Sequence, residues 1–261
     1  MAGALNALQG TAIRLDIPDE PGLVRVEAHW RDRRVPFARA DNWYTVLGVD
    51  LETEPGTHAI GLAFSYRDGS AKTGSVSVTV EPREFPVTRL KVAPKYVELS
   101  EANLARTARE REEINAIYDT LTPEPLWTES FDVPVAGAAG GRNFGHRRVF
   151  NQQPRAPHSG ADLAAATGTP VHASNDGRVV VAGELFFSGN AVFLAHGLGI
   201  YSVYLHLSAI DVELGQRVSR GDVIGRAGAT GRVTGAHLHW GVRVQGARVD
   251  PFSLLDLGAA R

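Results

Sequence analysis

Between His158 and His239 the chain carries five polar side chains whose types and spacing fit a metal site. They are His158 and Asp162 in H-S-G-A-D, His206 in Y-L-H-L-S, and His237 with His239 in H-L-H. Neutral imidazoles and a carboxylate are donors that zinc takes, and three of them leave a fourth position for an activated water. His237 and His239 stand two apart in a predicted strand, so both project from one face. Asp162 follows His158 by four residues, after Pro157 and a Ser-Gly turn, and both can converge from a loop. Each pair alone also arises by chance packing. Taken together, and with buried unpaired imidazoles and carboxylates being costly, a shared cation is the simplest compensation. Spacing does not choose three ligands from the five.

The elements that must position these residues read as mostly β. From about Gly10 to Pro82 apolar residues alternate: Ile13, Leu15 and Ile17, then Val24, Val26 and Ala28, then runs at 44–49, 60–66 and 75–80. Asp68-Gly69 supplies a hairpin turn. Short strands at this spacing predict a small antiparallel sandwich without clustered His, Asp or Glu, read equally as a binding or spacer module or as a packing partner. Residues 81–94 hold three prolines and read as extended. Ser100 to Leu121 predicts a helix, capped by Ser100, with Leu104, Ile114, Ile117 and Leu121 on one stripe and Arg106/Glu110 and Arg109/Glu113 on a solvated face. Thr122-Pro123 ends it. After a flexible 134–141 stretch, glycine-punctuated strands are expected at 178–182, 191–195, 200–206, 223–227 and 237–244, with a short helix at 252–257. The expected division is 10–85 immunoglobulin-like sandwich, 86–133 linker and helix, and 134–261 metal-binding domain.

Composition limits the function. A chain of 261 residues with 43% hydrophobic and 21% charged residues is that of an ordinary globular protein, long enough for two domains. A net charge of −2 speaks against nucleic acid, which needs a basic surface. No apolar run reaches the length of a membrane span. Met1 to Gly10 lacks a basic start and reads as no secretory signal. Zero cysteines exclude disulfides and thiolate sites without fixing a compartment. The glycines from Gly225 to Gly235 lack a Lys-Ser/Thr ending and lead into a strand, so a phosphate loop is rejected.

The stretches N-F-G-H-R-R-V-F-N, P-H-S-G-A-D-L-A-A, G-T-P-V-H-A, Y-S-V-Y-L-H-L-S and G-R-V-T-G-A-H-L-H-W make 143–251 resemble the lysostaphin- or LytM-type zinc metallopeptidases of bacterial peptidoglycan. The resemblance implies a β-rich, barrel-sandwich-related domain and hydrolysis of peptidoglycan peptide crosslinks with Zn2+. It implies His158, Asp162 and His239 as metal ligands and His206 and His237 as catalytic histidines. Which of the two is the base stays open, with His237 favoured as the neighbour of a ligand and a protonated His206 as the stabiliser of the oxyanion or the donor to the leaving amine. Tyr204, Asn190 and Arg148 are candidates for substrate binding, although core, hairpin and salt-bridge roles compete for each. His196 and His172 read as structural. The implied partner is the peptidoglycan peptide, in the periplasm or outside the cell; partner hydrolases are not identified. The competing reading is a silent LytM-type regulator of other wall hydrolases. A V-x-x-G-D-x-I-G texture at 218–225 resembles biotinyl and lipoyl carriers, but the lysines, Lys72, Lys91 and Lys95, all lie outside this domain, so that reading fails.

Overall fold

The computed structural model describes residues 5–92 and 98–258. Residues 93–97 of the expected linker and the first four of Met1–Gly10 lie outside the described residues. The architecture is mainly β with a single α-helix among the described residues.

The N-terminal strands are β1 (Leu5–Leu8), β2 (Thr11–Ile17), β3 (Leu23–Trp30), β4 (Arg33–Pro36), β5 (Ala38–Arg39), β6 (Trp43–Val49), β7 (Gly56–Tyr66) and β8 (Ala71–Glu81). They form one sheet in the order β1-β8-β7-β3-β4 and a second in the order β2-β6-β5. The turn read at Asp68-Gly69 joins β7 to β8: Gly69 adopts φ +85°, and an Asp68 carboxylate oxygen accepts from the Ser70 amide at 2.9 Å. Leu15, Trp30, Leu47, Ile60 and Val78 bury between the two sheets. β6 is buried along its whole length. Trp43, Leu47 and Val49 face this core, while Tyr44 and Val46 face a second one.

That second core joins the two halves of the molecule. Tyr44 and Val46 pack with Trp127, Leu198, Ile200, Val242, Val244 and Val249. The Gln245 side-chain amide donates to the carbonyls of Val46 (2.7 Å) and Leu198 (2.6 Å), and Arg248 grips Asp50 at 2.7 and 3.0 Å. The N-terminal sandwich is therefore a packed partner of the rest of the chain.

β9 (Val87–Leu90) leads to α1 (Glu101–Tyr118), where the Ser100 hydroxyl accepts from the Asn103 amide at 3.3 Å as the expected cap. The helix stops three residues short of the predicted Leu121. The Tyr201 hydroxyl reaches the carbonyls of Ile117 (2.7 Å) and Thr120 (2.5 Å), while Tyr118 buries against Phe193 and Tyr201. The polar face is not simply solvated either, because the Glu110 carboxylate accepts from the Phe186 amide at 3.0 Å besides holding Arg106. Leu104, placed on the apolar stripe, is exposed.

The remaining strands are β10 (Arg147–Phe150), β11 (Gln153–Arg155), β12 (Gly160–Leu163), β13 (Pro170–His172), β14 (Gly177–Leu185), β15 (Gly189–Gly197), β16 (Ile200–Leu207), β17 (Ala209–Ile210), β18 (Arg217–Val218), β19 (Val223–Arg226), β20 (Leu238–Val244) and β21 (Ala247–Val249). The main sheet runs β12-β20-β16-β15-β14-β18 with β21 beside β20, and β13-β19-β17 forms a smaller sheet. Val171, Leu194, Leu207, Ile224 and Trp240 fill the space between them. β9 adds in parallel to β10. Where a helix is predicted at 252–257 there is only a 3-10 turn, Pro251–Leu254, capped by Asp250 and followed by a turn at Leu255 and Asp256.

Gly48 lets β6 lie directly on the chain at 244–247: a Cβ there would stand 2.6 Å from the Val244 carbonyl oxygen and 2.7 Å from Ala247 Cβ. Gly48→Val should lower stability by about 1–3 kcal/mol through overpacking. Thermal unfolding checks this, with Gly183→Ala, whose added Cβ meets nothing within 4 Å, as the control expected to change little.

Candidate metal centre

Asp162 on β12 pairs directly across from His239 on β20, so residues 77 apart in sequence present neighbouring side chains on one face. His158 enters from the loop before β12. Its backbone amide donates to the His146 carbonyl (2.9 Å), and its own carbonyl accepts from Gly145 (2.7 Å). The His158 ring then places Nε2 2.9 Å from His239 Nδ1 and 3.0 Å from Asp162 Oδ1, and the third side, His239 Nδ1 to Asp162 Oδ1, is 2.8 Å.

These contacts test whether a cation fits. His158 Nδ1 lies 2.9 Å from the Asn143 carbonyl oxygen. A carbonyl only accepts, so Nδ1 carries the ring proton and neutral His158 turns a lone pair on Nε2 into the triangle. A lone pair and an ionised carboxylate oxygen facing each other at 3.0 Å repel unless positive charge lies between them. All three donors stand closer together than twice a metal–ligand bond of about 2.0–2.2 Å, so one ion can reach each of them. The donor set fits a divalent metal.

Asn143 is the residue that sequence reasoning passed over. Its side-chain amide donates to Asp162 Oδ2 (2.9 Å), its side-chain oxygen accepts from the Asp162 amide (3.0 Å), and its carbonyl holds His158. It orients two donors at once, as outer partners of metal ligands do. It opened a matching stretch of the family resemblance, but a loop asparagine carries no periodic signal of its own.

The other two histidines come to the same place. His237 sits just before β20, with Nδ1 2.9 Å from the Gly235 carbonyl oxygen and Nε2 3.6 Å from Asp162 Oδ1. His206 has Nδ1 2.9 Å from the Thr230 carbonyl oxygen, and its ring centre is 5.0 Å from that of His237 and 6.0 Å from that of His239. In both rings the carbonyl fixes the proton on Nδ1 and leaves Nε2 as an acceptor.

The candidate substrate residues separate. Tyr204 does not reach the cleft: it is fully buried, with its hydroxyl bonded to the Ser174 amide, the Ser174 hydroxyl and the Ser202 hydroxyl. The reason is a bulge. Asn190 pairs with Leu207 and Val192 with Tyr204, so Leu205 and His206 together oppose Ala191. The extra residue, with His206 at φ +67°, breaks the alternation that would put Tyr204 and His206 on one face. Asn190 donates through its amide to the Leu207 carbonyl at 3.1 Å and through its backbone to the Thr230 hydroxyl at 3.0 Å, bracing the loop that holds His206. Arg148 lies 3.4 Å from Asp162 Oδ2, on the outer side of the donor set. His196 is structural as expected, buried between the Asp176 carbonyl and the Ser202 hydroxyl, and burial pushes its pKa down to about 4. His172 bonds the Gly221 carbonyl at the surface.

Electrostatics suit cation binding. Burial alone would raise the Asp162 carboxyl, but positive charge at the His158 and His239 positions beside it outweighs burial and holds the group well below the usual carboxylate range, a demand that a bound cation meets when the rings are neutral. Burial brings His239 down to about 4 and, with the nearby His239 and His237, brings His206 down to about 3. At neutral pH His206 and His239 are thus uncharged beside the ionised Asp162.

Comparison with known proteins comes to the same region. The pattern of peptidase family M23 matches residues 156–251. A Vibrio cholerae protein named peptidoglycan DD-endopeptidase ShyA is 49% identical over 109 residues, 41% of this chain and 25% of that protein. A Neisseria meningitidis protein named DD-carboxypeptidase/endopeptidase Mpg is 46% identical over 97 residues, 37% of this chain and 22% of that protein. The chain therefore spans about a quarter of the length of these curated relatives. A solved M23 peptidase structure from Pseudomonas aeruginosa is 32% identical with a TM-score of 0.72, covering 95% of this chain and 94% of the other.

Two measurements test the geometry. A Cβ on Gly160 would lie 2.5 Å from the Trp240 carbonyl oxygen and 2.6 Å from His239 Nε2, so Gly160→Ala should displace the His239 ring and lower bound metal per chain in equilibrium dialysis. Histidines whose folded pKa lies below the ordinary 6.5 leave stability intact above that value. Stability is lost as pH falls from 6.5 towards 4 and 3, because the unfolded chain takes up protons first. Metal-free protein should show that fall in its unfolding midpoint, and His206→Gln should make the slope shallower.

Proposed function

This chain belongs to peptidase family M23, and on that footing we propose that it is a zinc metalloendopeptidase that hydrolyses peptide crosslinks of bacterial peptidoglycan. The observation that carries the reading is the triangle of donor atoms from His158, Asp162 and His239, with two further imidazoles turned towards it. The three residues would hold the metal. When bound, zinc supplies the Lewis acidity that brings a water molecule's pKa towards neutrality and polarises a carbonyl.

The chain's own residues divide the remaining work. His237 is part-exposed at the cleft, and its Nε2 lone pair is fixed by the Gly235 carbonyl behind it. It is the group that takes the proton of the attacking water. His206, deeper and held neutral by burial, turns its Nε2 acceptor towards the same space, and the Thr230 carbonyl keeps its ring from rotating away. It orients the water, and the proton returns from His237 to the leaving amine. Asn143 and Arg148 restrain the second oxygen of Asp162.

Peptidoglycan as substrate puts the site of action outside the cytoplasm, in the periplasm or beyond. No helix among the described residues is long and apolar enough to cross a membrane. The division at 10–85, 86–133 and 134–261 belongs to the same proposal, with the last segment carrying the chemistry.

Purified protein is expected to hold one zinc per chain by elemental analysis and to release peptides from purified cell walls. His237→Ala should retain the metal while losing about 10²–10⁴-fold in kcat. Metal-free, wall-inert protein with its fold intact would sink the reading, and full activity of His237→Ala in a wall-hydrolysis partner assay would favour a silent regulator instead.

A further inference from the structure

The metal centre opens on one side into a groove of about 1070 Å³, bordered by α1 and floored by β15, β16 and β20. Along β20, His239, Gly241 and Arg243 alternate onto this face, so a single strand presents a donor of the metal centre, a bare backbone position and a guanidinium in line. Successive positions on a strand rise by about 3.3–3.4 Å, which places Arg243 about 13 Å from His239, the span of about four extended residues before its side chain reaches back.

Arg243 is unlike the other partly buried arginines of this groove. Arg33 holds Asp119 at 2.6 Å, and Arg248 holds Asp50 at 2.7 Å. Arg243 has no acidic partner among the described residues. It makes two long hydrogen bonds, to the Ser159 carbonyl at 3.4 Å and the Val242 carbonyl at 3.3 Å, and lies 5.7 Å over the buried Tyr118 ring of α1. Burial, its largest perturbation, draws its pKa below the ordinary arginine value, and the carboxylate whose field it feels, Asp50, is already engaged by Arg248. A desolvated guanidinium held by carbonyls and an aromatic face, with a fork of donors not matched to any carboxylate, is a site prepared for an anion.

We propose that Arg243 is a specificity-determining residue: its guanidinium binds a free carboxylate of an extended peptide lying between α1 and the sheet, a few residues from the scissile bond. The substrate class is a peptide that carries an ionised carboxylate at that distance, as a crosslink containing a diamino diacid does and a polyglycine bridge does not. This rests on the peptidase reading above and adds to it the direction of the substrate, with its anionic end under α1. Tyr118 supports the guanidinium from the other side and, through its stacking on Phe193, fixes the width of the groove at that point.

The test uses the full zinc-loaded chain and two crosslinked peptides containing diaminopimelate, identical except that the free carboxylate of one is converted to a carboxamide. Wild type should favour the carboxylate by at least about tenfold, expressed in KM, the size expected of a charge-assisted pair. Arg243→Gln should abolish that preference while cleaving the carboxamide peptide at an unchanged kcat, and Arg243→Lys should restore part of it. Fluorescence anisotropy of the same two peptides, labelled, on the His237→Ala protein reads binding without turnover. Equal KM and equal binding of both peptides by unsubstituted Arg243 protein would overturn the proposal, as would a preference that survives Arg243→Gln. If wild type cleaves neither peptide but binding still discriminates and Arg243→Gln erases it, the anion site stands and the peptidase reading falls.

Discussion

Everything in the candidate centre depends on the register of β12 against β20. The side-chain period of a strand is two, so a slip of one residue would turn Asp162 away from His239 and dissolve the donor triangle. What holds the register is the opposite face of the same two strands. Ala161 and Leu163 on β12, and Leu238 and Trp240 on β20, are each buried to within about 1% of complete and alternate with the polar residues. Trp240 meets Phe252 edge-on at 5.6 Å. The apolar residues between the donors are therefore the ones that align them, and H-L-H-W and G-A-D-L are each half chemistry and half core.

The second arrangement is the bulge in β16. A regular strand would bring Tyr204 and His206 out together, one of them into the wrong environment. One extra residue lets Tyr204 join a buried chain of hydroxyls with Ser202, Ser174 and His196, while His206 turns to the cleft. The cost is a histidine in left-handed backbone, which the surrounding structure must hold in place. Thr230 does so from both sides, its carbonyl accepting from the ring N–H and its hydroxyl donating to the Leu207 carbonyl and accepting from the Asn190 amide. Asn190 thus acts through His206's support.

How much of this was legible in the sequence follows from where the information resides. Side-chain type and short-range spacing exposed His158, Asp162, His206, His237 and His239, because no other residue class supplies such donors. Strand positions were legible wherever apolar alternation persisted, as in β2, β7 and β8, and the Asp68-Gly69 turn announced its hairpin. Selecting ligands from the five needed family resemblance, since distance between segments is not written in either segment alone. The bulge escaped because it is a relation between two strands, visible only in their pairing. Asn143 escaped because its three bonds go to backbone and side chains 15 and 19 residues away. The early end of α1, at Tyr118, has a similarly non-local accompaniment, the Tyr201 hydroxyl arriving from β16.

The same strand, β20, also explains how the N-terminal part bears on the centre. Val242 and Val244 lie on the face of β20 opposite His239, and they are the residues against which Tyr44 and Val46 of the sandwich pack. The sandwich therefore supports the back of the strand that carries a metal donor. α1 takes the front: Tyr118 shares a cluster with Ala191, Phe193, Tyr201 and Val203, on the face that opens into the groove. A main sheet clamped from behind by one module and bordered in front by a helix has little freedom to shift its strands, which is what a site built on strand register requires. Apart from Arg33 at its edge, the sandwich stays behind the sheet, so the element in a position to govern access to the groove is α1.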